Sequence, residues 1–282
     1  MRRLIVNADD YGLTPAVSRG IRHAHQAGIV TSTTAMMNSS LAAEALETAQ
    51  RKCPGLGLGV HLVLSAGRPM LPPEAAPSIA RLAGDGNFPR REALLEHADE
   101  LDSREVEAEW RAQIEAFVAV VRRAPSHLDS HHHTSYYTPA LFTVMLELAG
   151  EYGCAVRMPL TTLEAASAVL GSQGGLPKVA AGLSAIERMF DSAQAAAIRR
   201  PDHFESRFYG STASAAHLNA ILGGLPEGTT EIMCHPAFDD PALARLTSYN
   251  APRVNELAAL TQPGLRARLN AAGVELISFR EL

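Results

Sequence analysis

The sequence predicts an α/β fold, a barrel-like (β/α) arrangement around a parallel sheet, on three observations. Short apolar runs alternate with segments of helical periodicity along the whole 282-residue chain. Asp and His residues stand at or near the ends of four of those runs, where parallel α/β folds gather polar groups on one face. No internal repeat, low-complexity tract or linker breaks the rhythm, so 1–282 is expected to be one domain.

The elements follow in order. Arg3 to Asn7 reads as a buried strand, ended by Ala8-Asp9-Asp10-Tyr11-Gly12. Thr14-Pro15 supplies an N-cap and a first-turn proline for a helix over 16–26, closed by Gly28. The β-branched run 29–37 predicts a second strand, and alanine-rich 41–52 a helix. Residues 56–64 form a third strand that carries His61. Proline, glycine and Asp85-Gly86 make 67–91 a long loop over the site face. Helical spacing returns at 103–121, then come a short strand ending at 127–130, a helix over 140–152 and a strand restarting at Ala155-Val156-Arg157. Ser172 to Lys178 is a glycine-containing loop, and 230–234 and 274–279 are the last strands.

Composition excludes several function classes. A net charge of −5 offers no basic surface for nucleic acid, and no apolar run nears the ~20 residues that span a bilayer. The basic start Met1-Arg2-Arg3 meets two aspartates too soon to be a secretion signal. Three scattered cysteines, without CxxC spacing, argue against a disulfide framework or a Cys-type zinc site. The expectation is a cytoplasmic protein.

Asp9-Asp10, His61, Asp129-Ser130-His131-His132-His133 and His235 stand at separate strand ends. A carboxylate and two imidazoles hold a divalent ion with open positions, and a second carboxylate beside them suits a hydrolase. Each piece also has a plainer explanation: paired aspartates cap helices, strand histidines pack, and histidine runs lie in loops. Thr14 already caps the first helix, and the joint placement favours a metal site. His127 shares the face of Asp129, positioned to orient it or a ligand, while Cys234 falls on the face opposite His235 and belongs to the core.

Asn7-Ala8-Asp9-Asp10-Tyr11-Gly12, Gly59-Val60-His61-Leu62, Ser126 through His133 and Met233-Cys234-His235-Pro236 occur in that order. With Pro201-Asp202-His203-Phe204 and Tyr249-Asn250, Arg253 through Leu257, this set resembles the YdjC-like carbohydrate deacetylases. The resemblance implies a barrel-like deacetylase fold and a single catalytic domain. It implies Asp10, His61 and His131 as metal ligands, Asp9 as catalytic base and His235 as acid. The family continues its third motif with Val-His where this chain reads Thr134-Ser135-Tyr136-Tyr137.

The expected reaction is hydrolysis of an N-acetyl group on an amino sugar or short oligosaccharide. One divalent metal ion is the expected cofactor: the donor set favours zinc, and the family adds magnesium. Tyr136, Tyr137 and Arg157 are the candidate substrate contacts, and a homodimer is the expected assembly. The alternatives are a metal-dependent phosphoesterase, disfavoured by the lack of a glycine-rich phosphate loop, and a non-enzymatic metal- or sugar-binding protein, which has no use for Asp9.

Overall fold

The computed structural model describes residues 1–159, 188, 191 and 197–282; the loop expected at 172–178 lies outside them. The described strands are β1 (Arg2–Tyr11), β2 (Ser32–Ala35), β3 (Gly57–Leu62), β4 (His127–Ser130), β5 (Ala155–Val156), β6 (His203–Glu205), β7 (Gly228–Cys234) and β8 (Val274–Leu276). They form one sheet in the order β5-β4-β3-β2-β1-β7-β6, with β8 paired to β1. Every pairing is parallel. β8 takes the edge of β1 at Arg2–Leu4, and β2 takes the same edge from Asn7 onward. The sheet curves into a half-barrel. Arg157, just past β5, reaches Glu231 on β7, and the Val156 N–H donates to Arg199 O beside β6.

Helices α1 (Pro15–Ala27), α2 (Ala42–Lys52), α5 (Ser103–Val121) and α6 (Pro139–Tyr152) pack outside this sheet. Their starts follow from sequence: the hydroxyls of Thr14 and Thr138 accept N–H groups of α1 and α6, each followed by proline, and Asp102 caps α5. Trp110, Ile114 and Phe117 of α5 and Phe142 of α6 are buried against strand residues such as Val6, Val60 and Leu128. Such burial of apolar area is the main favourable term holding the layers together.

The segment 67–91 differs from the long loop expected. It contains α3 (Pro77–Leu82), and α4 (Arg91–His97) follows directly. Pro77 sits at the helix start, where its missing N–H costs nothing, and Ile79 and Phe88 are buried. Two acids of α5 tie it down: Glu109 accepts the N–H groups of Met70 and Leu71, and Glu105 accepts Ser78 N–H and Oγ–H. Among the described residues no helix is long and apolar enough to cross a membrane.

Candidate active site

The site begins with a break in β1. Between Ala8 and Tyr11 the register to β2 slips by one residue, and Asp10 adopts φ +68°, in the left-handed region. A regular strand would send adjacent side chains to opposite faces. The bulge instead lets Asp9 and Asp10 serve one site. A second strained stretch, His132 and His133 at φ +54° and +57°, follows β4. Strain of this kind persists where surrounding contacts over-determine it, and it clusters at functional sites.

Asp10, His61 and His131 meet at these strand ends. Asp10 Oδ1 lies 3.5 Å from His61 Nε2 and 3.1 Å from His131 Nδ1, and the two nitrogens are 3.3 Å apart. Ligand atoms about 2.1 Å from one ion, spread over tetrahedral or octahedral angles, sit about 3.0–3.4 Å from each other. Asp10 Oδ1 is buried and has no hydrogen-bond partner among the described residues. The three atoms therefore face one common point more than they face each other, and they fit a divalent ion. Their chemistry, two imidazole nitrogens and one carboxylate oxygen, suits zinc or a neighbouring transition ion better than magnesium.

The supports of these ligands are equally specific. His61 Nδ1 lies 2.7 Å from Asp129 Oδ1, so a proton on Nδ1 leaves the Nε2 lone pair for a metal. Asp129 is held in turn by Thr34 Oγ1 at 3.0 Å and Arg157 at 3.0 Å. Burial alone would lower the affinity of His61 for protons, but Asp129, Asp10 and Asp9 push its pKa up to about 10. The pocket draws positive charge. Arg253 donates to Asp10 Oδ2 at 2.6 Å, engaging the oxygen that does not face the imidazoles.

Asp9, His61 and Asp129 form a second cluster of possible ligands. There the Arg157 guanidinium is already in place, 2.7 Å from both Asp9 oxygens and 3.0 Å from Asp129. A cation occupies that spot, which leaves the Asp10 cluster as the candidate metal site. Against burial, which would raise it, Arg157 holds the Asp9 carboxyl well below the usual carboxylate range. Asn7 adds a hydrogen bond to Asp9 Oδ1 at 2.9 Å, and His127 Nε2 contacts Asn7 Oδ1. His127 thus acts through Asn7, whose amide also donates to Asp129 Oδ2 at 3.4 Å.

His235, at the end of β7, has Nε2 3.7 Å from Asp9 Oδ2. Burial is the main cause that pushes it down to about 4, so the resting imidazole is neutral. Its backbone N–H donates to Glu256, a fully buried acid on α9 (Ala251–Leu260). Burial pushes Glu256 up to about 8 against the hydrogen bonds it accepts from His235 and Tyr249. Cys234 is buried, as expected of a core residue.

Of the three candidate substrate contacts, two are engaged inside the protein and one is partly exposed. Tyr136 is 2% exposed and its hydroxyl donates to Arg157 O; Tyr137 is half-buried; Arg157 is fully buried among Asp9, Asp129 and Glu231. The structure brings Arg157 into the site as a clamp on Asp9. Sequence reasoning did not single out Thr34, Glu231 or Glu256. The available signal was polarity inside apolar surroundings: a glutamate amid Thr-Thr-Glu-Ile-Met-Cys, and acid and arginine three apart on α9.

Comparison with known proteins gives the family and the fold. A family model described as YdjC-like protein matches residues 3–271. The chain belongs to the YdjC-like family. A carbohydrate deacetylase of Enterococcus faecalis is 34% identical, with 100% of this chain and 98% of the relative covered. A chitooligosaccharide deacetylase of Salmonella paratyphi B is 33% identical over 100% and 99%. A crystal structure from Enterococcus faecalis V583, of a protein named for cellobiose-phosphate cleavage, superposes with a TM-score of 0.81. It is 32% identical and covers 99% of this chain and 98% of its own. That structure shares the fold of this chain over nearly its whole length.

Proposed function

We propose that this chain is a metal-dependent carbohydrate N-deacetylase acting on acetylated amino sugars or short oligosaccharides of the chitooligosaccharide type. One observation carries the reading: three donor atoms converge on one point beside a second, ionised carboxylate. The names of the full-length relatives support the substrate class. Asp10, His61 and His131 would hold the ion, with zinc the better fit to the donors and magnesium the alternative. When bound, the ion polarises the acetyl carbonyl and acidifies water.

The residues of the chain handle the protons. Water adds to the carbonyl carbon while Asp9 takes its proton; the C–N bond then breaks, and the nitrogen leaves as an amine that has gained a proton. The products are acetate and the free amino sugar. Burial keeps the resting His235 imidazole neutral, its pKa pushed down to about 4, so it is free to accept the water proton from Asp9. The proton then passes from Asp9 through His235, 3.7 Å away, to the leaving nitrogen. A phosphoesterase needs a free cationic clamp, whereas Arg157 and Arg253 each bond a carboxylate. The buried free cysteines Cys53, Cys154 and Cys234 fit the reducing cytoplasm, and a homodimer remains the proposed assembly.

The test is acetate release from N-acetylglucosamine and its β-linked di- and trisaccharides by protein stripped of metal and then reloaded. Release that returns with added metal supports the reading. Hydrolysis of phosphate esters with no acetate release overturns it.

A further inference from the structure

The sequence names Tyr136 and Tyr137 as candidate substrate contacts, and Tyr136 is buried with its hydroxyl on Arg157 O. Another aromatic stands at the site instead. Tyr209 is 46% exposed, and among the large exposed side chains of the described residues it is the one in ring contact with His235, at 5.5 Å. One face of its ring lies flat on Tyr249, 4.2 Å away and 5° from parallel.

This half-exposed ring is held rigidly. Tyr249 accepts the Gly210 N–H at 2.8 Å and donates its own hydroxyl to Glu256. Gly210 adopts φ +66°, which places the N–H next to Tyr209 under the Tyr249 hydroxyl at no steric cost. Thr212 Oγ1 donates to Tyr209 O. The Arg253 guanidinium, which holds Asp10, lies 5.4 Å from the Tyr249 ring. Tyr209, Tyr249, His235 and Glu256 are thus one connected wall, joined to Asp10 through Arg253. A folded chain that fixes an aromatic in place and leaves its surface in water at a site's rim has built a contact for something with an apolar face.

We propose that Tyr209 is the platform on which a pyranose ring of the substrate stacks, beside the point where its acetamido group is hydrolysed. A pyranose offers the matching chemistry: a flat face of C–H groups rimmed by hydroxyls. Burial and the nearby Asp10 and Glu256 keep the Tyr209 hydroxyl protonated against the opposing arginines, so it stays a donor for a sugar oxygen. The inference rests on the deacetylase reading and deepens it: specificity for a sugar ring, rather than for any acetamide, comes from Tyr209.

The test uses N,N′-diacetylchitobiose with wild type, Tyr209→Ala, Tyr209→Phe and Tyr209→Trp. Tyr209→Ala is expected to raise KM about tenfold, equivalent to about 1.4 kcal/mol, with kcat within about threefold of wild type. Phe and Trp should restore most of the affinity. A residue that only props up Tyr249 would lower kcat and melting temperature and leave KM alone; an unchanged KM in Tyr209→Ala overturns the platform. The two readings separate through a binding measurement. Saturation-transfer NMR on chelated protein shows whether the disaccharide binds and whether binding needs Tyr209. If wild type releases no acetate yet binds the sugar through Tyr209, the deacetylase reading falls and the platform stands. Binding that is the same in Tyr209→Ala removes the platform whatever the activity.

Discussion

The two walls of the site are built on different principles. On the wall made by β1, β3 and β4, Asp10, His61 and His131 keep one donor atom each facing a common point, with Asp129 behind His61 and Arg253 behind Asp10. Around Arg157, β7 and α9 each acid is already matched: Asp9, which β1 sends to this side, and Glu231 by Arg157, Glu256 by His235 N–H and Tyr249. The first wall leaves coordination capacity unspent, which is what a metal needs. The second spends its charge internally, which fixes proton affinities and holds an aromatic ring at the mouth. Metal binding and proton handling are thereby assigned to separate groups, although Asp9 and Asp10 are neighbours in the chain.

The sharpest way to break this contrast is to remove a donor from the first wall. His61→Ala and His131→Ala should each lose metal, by elemental analysis of dialysed protein, and drop acetate release to background while the circular dichroism spectrum stays native. Full metal occupancy in both variants would contradict the ligand set. On the second wall, Asp9→Asn should keep its metal yet lower kcat by at least ~10²-fold, the scale of lost base catalysis. Loss of metal from Asp9→Asn, or retention of activity, would merge the two walls into one.

The sequence revealed the two walls unequally. Asp10, His61 and His131 were legible because each is a polar residue at or near the end of an apolar run, and a parallel sheet brings all such ends to one face. The strand order and the bulge that turns Asp10 toward Asp9 were not legible, since both depend on pairings between β1 and distant strands. Arg157 was picked out as a substrate contact, and its real partners are 148 positions away at Asp9 and 74 away at Glu231. Arg253 through Leu257 counted toward the family resemblance with no role attached, yet Arg253 and Glu256 are 4% and 0% exposed. Buried charge is unreadable without the partner that makes it tolerable. The segment 67–91 looked like a loop because proline and glycine are dense there, and Glu105 and Glu109 of α5 supply the anchors that its own sequence lacks.

A smaller effect tests the support of the first wall. Asp129→Asn removes the charge behind His61 Nδ1 and should weaken metal binding by about 10–100-fold, read by competition with a chromophoric chelator. Unchanged affinity would make Asp129 a partner of Arg157 alone.

The smallest effect belongs to the second wall and appears in stability. Glu256 has a pKa of about 8 when folded, against 4.5 for an ordinary glutamate, so between those values the native state binds more protons than the unfolded one. Stability from this group is therefore full below about pH 4.5 and is lost as pH rises through about 8. Chemical denaturation of chelated protein from pH 5 to 9 should show that decline, and Glu256→Gln should make it shallower by about one proton. Equal slopes would place Glu256 in contact with solvent.

The central claim is that one divalent ion, held by Asp10, His61 and His131, makes this chain a deacetylase. Its most direct test is a titration of zinc into chelated protein, with bound metal and acetate release from N,N′-diacetylchitobiose measured in the same samples. The account predicts that activity rises in proportion to bound metal and breaks at one equivalent per chain, with no rise in His131→Ala. Activity that persists in fully chelated protein, or that rises equally in His131→Ala, would contradict it.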